Sequence, residues 1–209
     1  MNFILPETLP GKSAHLTMAP DHRIESLMVE KVPPANAVKS AVLVLLLPFS
    51  EELEVVLIRR NKYNGIHSDQ ISFPGGKCDK DDTDFVHTAC REAYEELGIS
   101  RSDIKIIGNL SKLYVPPSNF LIFPVLAIAE KRAEYKPDPR EVAGYIHAPL
   151  SKFNPSNVVR SRVLAGPGLW IEAQSYIIDG HIIWGATAMI LAELYQVAAA
   201  TDSISLIKP

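Results

Sequence analysis

The run SAVLVLLLP at residues 40–48 constrains this chain more than any other stretch. It lacks the alternation of a half-exposed strand, so a strand built from it belongs in the centre of a sheet. A second apolar, β-branched run, EVVLIR at 54–59, follows the polar FSEE and predicts a neighbouring strand joined by a short turn. Over residues 84–97 the period changes: Val86, Ala89, Cys90, Ala93 and Leu97 recur at helical spacing, and Gly98 ends the pattern. IKII at 104–107, FLIFPVLAIA at 120–129 and WIEAQSYII at 170–178 read as further strands, and the Ala- and Leu-rich 185–199 as a closing helix. Strands before, between and after helices predict an α/β or α+β sandwich. The sixteen prolines fall in clusters such as LPETLPG, VPPA and FPGG, which mark loops rather than a linker, so a single domain over 1–209 is expected.

Composition narrows the function classes. With 47% hydrophobic and 22% charged residues the chain has the profile of an ordinary globular protein. A net charge of −3 without a long basic block argues against nucleic acid or an anionic membrane as a partner. No apolar run is long enough to cross a bilayer and no signal pattern opens the chain, so a cytoplasmic location is expected. Cys78 and Cys90 are too few for a disulfide framework.

The predicted helix 84–97 carries Glu92, Glu95 and Glu96 at spacing i, i+3, i+4, which puts three carboxylates on one side and the apolar stripe on the other. A solvated helix face is one explanation of such a cluster. The other is a site for a hard divalent cation, Mg2+ or Mn2+, since like charges this close repel unless a cation neutralises them. Arg91 could hold one carboxylate in a forked pair, and Gly75-Gly76 after Pro74 can bring bare backbone close to a ligand or metal.

These residues resemble the signature of the Nudix hydrolases, enzymes that act on a nucleoside diphosphate linked to another group. REAYEELGI at 91–99 fits every specified position of the second half of the Nudix box. The first half departs from it by one extra residue, so that Asp82 and Thr83 compete for the upstream Glu slot, with Asp82 alternatively a helix cap. The stretch VLIRRNKYNGIHSDQISFPGG is similar to the motif of the coenzyme A pyrophosphatase branch. Leu57, Arg60, Phe73, Pro74, Gly75 and Gly76 are in register, whereas Ile58, Asn61, Gly65 and Asp69 depart. Residues 9–20, 114–125 and 182–194 are also similar to this branch.

The resemblance implies a Nudix α/β/α sandwich with a mixed sheet, on which an N-terminal segment of about 35 residues packs. It implies Glu92, Glu95 and Glu96 as metal-binding and catalytic residues beside Arg91, and Gly75 and Gly76 as backbone contacts. Arg60 becomes a phosphate contact, and the expected partner is a small nucleotide of the coenzyme A type. Hydrolysis would give phosphopantetheine and adenosine 3′,5′-bisphosphate. Another nucleoside diphosphate derivative, such as ADP-ribose or NADH, is the alternative substrate class, and a catalytically silent nucleotide-binding module is a further reading. Many Nudix proteins are homodimers, and nothing in this sequence opposes that. Cys78, His87 and Cys90 fit no zinc spacing, His67 reads as a loop residue, and Trp184 and Gly185 as packing at the start of the last helix.

Overall fold

The computed structural model describes residues 3–21, 24, 32–61, 69–166 and 168–201; Gly65 and His67 lie outside them. Strand β1 (Val38–Leu47) takes the central place that its apolar run demands. It pairs in parallel with β7 (Phe120–Ala129), from Val38↔Phe120 to Leu46↔Ile128. At its far end it meets β2 (Glu54–Arg60) through Leu46↔Val55 and Leu47↔Glu54, so the predicted hairpin forms but pairs only beside its turn. Its first half pairs instead with β4 (Gly75–Lys77), through Ser40↔Lys77, Ala41↔Gly76 and Val42↔Gly75. Strands β5 (Ile104–Asn109) and β6 (Leu113–Val115) lie along β7, while β3 (Ile71–Ser72) and β8 (Val142–Pro149) lie along β2. The result is a mixed sheet of eight strands.

Successive side chains on the inner strands enter two different cores. Ala41, Leu43 and Leu45 of β1, Val56 and Ile58 of β2, and Val125 and Ala127 of β7 bury against Ala89, Cys90, Ala93 and Leu97 of helix α2 (Phe85–Leu97). Val44, Leu46, Val55, Leu57, Leu126 and Ile128 face the opposite way, toward helix α3 (Gly185–Ala200). That second layer also holds α1 (Lys12–Thr17) and an antiparallel sheet of β9 (Val159–Gly166), β10 (Leu169–Ile178) and β11 (His181–Trp184). Helices on both faces of a mixed sheet make the expected α/β/α sandwich.

The N-terminal segment is tied to α3 by a buried polar contact. His15 Nε2 lies 2.9 Å from Glu193 Oε2, and the Ser111 N–H donates to both Glu193 oxygens at 3.1 and 3.2 Å. Burial alone would push the Glu193 carboxyl up, but the hydrogen bonds from His15 and Ser111 outweigh it and hold it below its ordinary value.

Candidate active site

Helix α2 starts where Asp84 accepts the His87 N–H at 2.7 Å, and it ends at Gly98, whose φ of 71° completes a left-handed cap. Asp84, not Asp82, is therefore the cap. Asp82 does something else: its side chain is 3% exposed and takes a forked pair from Arg91, Nε to Oδ1 at 3.0 Å and Nη2 to Oδ2 at 2.9 Å. It also accepts from the Thr88 hydroxyl at 2.8 Å and the Asp79 N–H at 2.9 Å. The hydrogen bonds from Arg91 hold this carboxyl far below the usual range. Thr83 donates its backbone N–H to His87 Nδ1 at 3.2 Å.

Arg91 also donates Nη1 to Glu92 at 2.8 Å and to Glu95 at 3.2 Å, and Nη2 to the Lys77 carbonyl at 3.1 Å. One guanidinium thus joins the β4 turn, Asp82 and two carboxylates of the helix. Its fork goes to Asp82 rather than to a member of the glutamate cluster.

The three glutamates leave one side of α2 but meet different surroundings. Glu96 is 1% exposed, accepts the Gly75 N–H at 2.9 Å and lies 3.6 Å from Arg60 Nη1. Burial, aided by the nearby charges of Glu92 and Glu141, pushes its carboxyl up to about 8 against the pull of Gly75 and Arg60. Glu92 is largely buried, and burial raises its carboxyl despite the Arg91 hydrogen bond. Glu95 is mostly exposed.

The two glycines answer two constraints. A Cβ on Gly75 would come within 2.5 Å of the Ala41 carbonyl oxygen, at a φ of 154° that side chains avoid, so β1 requires this glycine. A Cβ on Gly76 would lie 2.4–2.5 Å from the Glu92 carboxylate, so glycine there lets that carboxylate rest against the β4 backbone.

A cleft of about 660 Å3 is lined by Arg59, Arg60, Asn61, Asp69, Arg140, Glu141 and Ala143, and Arg60, 3.6 Å from Glu96, links it to the glutamates. The segment carrying Arg140 and Glu141 is fastened to the helix that bears the cluster: Lys136 N–H donates to the Leu97 carbonyl at 2.8 Å and Asp138 N–H to that of Glu96 at 3.0 Å. These carbonyls would otherwise be orphans of the helix C-terminus. Asn61 holds the same segment from β2, its side chain donating to the Pro139 carbonyl at 2.6 Å and its N–H to that of Glu141 at 2.9 Å.

The sequence matches the NUDIX domain family over residues 38–163, more than half of the chain. The chain belongs to the Nudix family. It is similar to an uncharacterized Nudix hydrolase, NudL, of Yersinia enterocolitica, with 32% identity over 169 residues, covering 78% of this chain and 82% of the relative. The NudL of Yersinia pestis is 30% identical over 145 residues, covering 69% and 72%. Among solved structures, the Nudix hydrolase RenU of M. smegmatis has a similar fold, at a TM-score of 0.55 and 14% identity over 78% of this chain and 87% of that one. So does a MutT/nudix family protein of Enterococcus faecalis, at 0.52 and 15% over 94% and 76%. The Nudix chain is accordingly a pyrophosphohydrolase acting on a nucleoside diphosphate derivative, and Nudix hydrolases generally work with a divalent cation.

The Nudix box residues form one continuous site from β4 through α2, and Arg60 reaches it from β2. Among the described residues no three His, Cys, Asp or Glu side chains come close enough together to form a metal cage by themselves. The donor set nevertheless fits a hard cation. Glu92 and Glu96 flank the Gly75-Gly76 backbone, and Mg2+ needs only one or two carboxylates, with water and phosphate completing its shell. Cys90 is buried in the apolar stripe, which pushes its thiol up, and His87 is engaged by Thr83, so neither belongs to the site. One residue escaped sequence reasoning. Glu141, whose charge acts on both Glu92 and Glu96, sits outside any motif, and its only signal is its place at the start of an apolar strand. Asp69, which departs from the branch motif at a glycine, adopts a φ of 59° and so keeps the left-handed backbone that glycine favours.

Proposed function

We propose that this Nudix hydrolase cleaves the diphosphate of coenzyme A or an acyl-coenzyme A, giving phosphopantetheine and adenosine 3′,5′-bisphosphate. The observation that carries the reading is Arg60. It occupies the arginine of the coenzyme A pyrophosphatase motif, lies 3.6 Å from Glu96, and its buried Nε has no hydrogen-bond partner among the described residues. A guanidinium so placed takes a phosphate oxygen beside the carboxylates. In this reading Glu92, Glu95 and Glu96 hold Mg2+ or Mn2+, Gly75 and Gly76 keep backbone close to it, and Arg91 fixes the orientation of Glu92 and Glu95. When bound, such a cation lowers the pKa of its water and offsets phosphate charge. A carboxylate of the cluster accepts the proton of the attacking water, and Arg60 offsets the charge that grows on the phosphate as the P–O bond breaks.

Residues 1–209 form one domain in this reading, because Phe3, Met18 and Ala19 share a core with β1, β2 and α3. Assembly as a homodimer belongs to it too, supported by Leu164, Leu169 and Trp170 exposed together on β9 and β10; sedimentation at the mass of one chain would remove that part.

The departures at Ile58, Asn61, Gly65 and Asp69 favour a second reading, in which the substrate is ADP-ribose, NADH or another nucleoside diphosphate derivative. Rates on coenzyme A, an acyl-coenzyme A, ADP-ribose and NADH, in Mg2+ and in Mn2+, separate the two. Preference for coenzyme A is expected, and equal or greater rates on ADP-ribose or NADH would select the second. Glu96→Gln is expected to lower kcat on the order of a hundredfold. Absence of turnover on every substrate would leave only a nucleotide-binding module.

A further inference from the structure

The cleft holds two guanidinium groups that the reaction above does not use. Arg59 donates through Nε to Asp69 at 2.7 Å, and Arg140 donates through Nε and Nη2 to Asp138 at 2.6–3.1 Å. Both line the same 660 Å3 cleft as Arg60. Consecutive strand residues ordinarily point to opposite faces. Arg59 and Arg60 share the cleft where the register with β8 breaks: Arg59 pairs with Gly144 and Arg60 with Val142, leaving Ala143 as an extra, bulged residue. Bulges re-aim side chains in this way, often beside active sites. Arg140 arrives on the 136–141 segment that α2 and Asn61 hold in place.

Exposed ion pairs add little stability, so stability alone does not explain why two of them converge on one cleft. Asp69 keeps its carboxylate beside Arg59 from a left-handed backbone, φ 59°, that most side chains avoid. A carboxylate on one edge of a guanidinium fixes its plane, which prepares the group to meet a second planar or tetrahedral oxyanion. Three guanidinium groups line the cleft, and each is steadied by a carboxylate: Arg59 by Asp69, Arg60 by Glu96 and Arg140 by Asp138.

We propose that Arg59 and Arg140 form a second phosphate subsite, which takes a phosphomonoester carried on the ribose of the substrate, outside the diphosphate that is cleaved. The proposal rests on the coenzyme A reading for the identity of that group, the 3′-phosphate. It makes the pair specificity-determining: nucleotides with the extra phosphate are selected over those without it.

Two measurements test it. In the first, kcat/KM is compared for coenzyme A and 3′-dephospho-coenzyme A with the wild type, Arg59→Gln and Arg140→Gln. The wild type is expected to prefer coenzyme A, and each variant to reduce that preference about tenfold, the size of one charge-assisted hydrogen bond, mainly through KM. Arg140 is 85% exposed, so its loss does not endanger folding. In the second, calorimetry compares binding of adenosine 3′,5′-bisphosphate with that of AMP. Tighter binding of the bisphosphate, lost in the variants, supports the subsite even if coenzyme A is not hydrolysed, in which case the proposed function fails alone. Hydrolysis of both coenzymes with one kcat/KM, together with equal binding of both nucleotides, overturns the subsite and leaves the hydrolase reading standing. A variant that loses activity equally on both coenzymes, with the preference unmoved, overturns it as well.

Discussion

A Cβ at position 76 would stand 2.4–2.5 Å from the Glu92 carboxylate, so Gly76→Ala has to displace either β4 or the glutamate. We expect this variant to fold, to lose a few degrees of melting temperature, and to lose about tenfold or more in kcat/KM on whichever substrate the wild type turns over. Retained activity would show that Glu92 can move without consequence. Thr83 and Asp82 illustrate what spacing alone cannot decide. One inserted residue left both open, and of the two it is Asp82 whose carboxylate the turn after Asp79 buries against Arg91. The glutamates were legible because helical periodicity fixes their side of α2, whereas their unequal burial depends on β4, which is only three residues long. Glu141 was illegible for a related reason: it reaches the cluster through tertiary contacts of the 136–141 segment, which no local pattern announces.

Long elements with a clear period matched their sequence expectation closely: β1, β2, β7, β10, α2 and α3 all lie where the apolar runs put them. Strand β9 was missed because VRSRVLAG interleaves two arginines with small residues and buries only Ser161 and Val163. Strand β8 was missed because VAGYIHAP contains Gly144 and ends in Pro149, both depleted in strands. The contact of α1 with α3 makes a testable case at this scale. Because the folded Glu193 carboxyl lies below its ordinary value of 4.5, its hydrogen bonds contribute stability above that pH, and the contribution is lost as pH falls through the folded value. Glu193→Gln is therefore expected to cost about 2 kcal/mol in urea denaturation at pH 7, and distinctly less at pH 3 to 4. An equal penalty at both pH values would show that shape, not charge, holds α1 to α3.

For the molecule as a whole, the proposed function implies that a cation held by Glu92, Glu96 and the Gly75-Gly76 backbone stabilises only the folded state. At a hundredfold excess over its dissociation constant Mg2+ should add about 2.7 kcal/mol, which for a domain of this size raises the melting temperature by about 5 to 10 °C. Glu92→Gln combined with Glu96→Gln should erase the rise, and an undiminished shift in that double variant would place the cation elsewhere. Arg91 sets the starting point for this binding. It already touches Asp82, Glu92, Glu95 and the Lys77 carbonyl, so the acidic helix carries its own counter-charge. A zinc finger cannot fold until its ion arrives. With Arg91 as a counter-charge inside the chain, α2 is expected to stay on the sheet when the cation is withdrawn, so a cell short of divalent cations would hold idle, intact enzyme rather than loose chains for its proteases. Activity would then return on resupply, with no new synthesis.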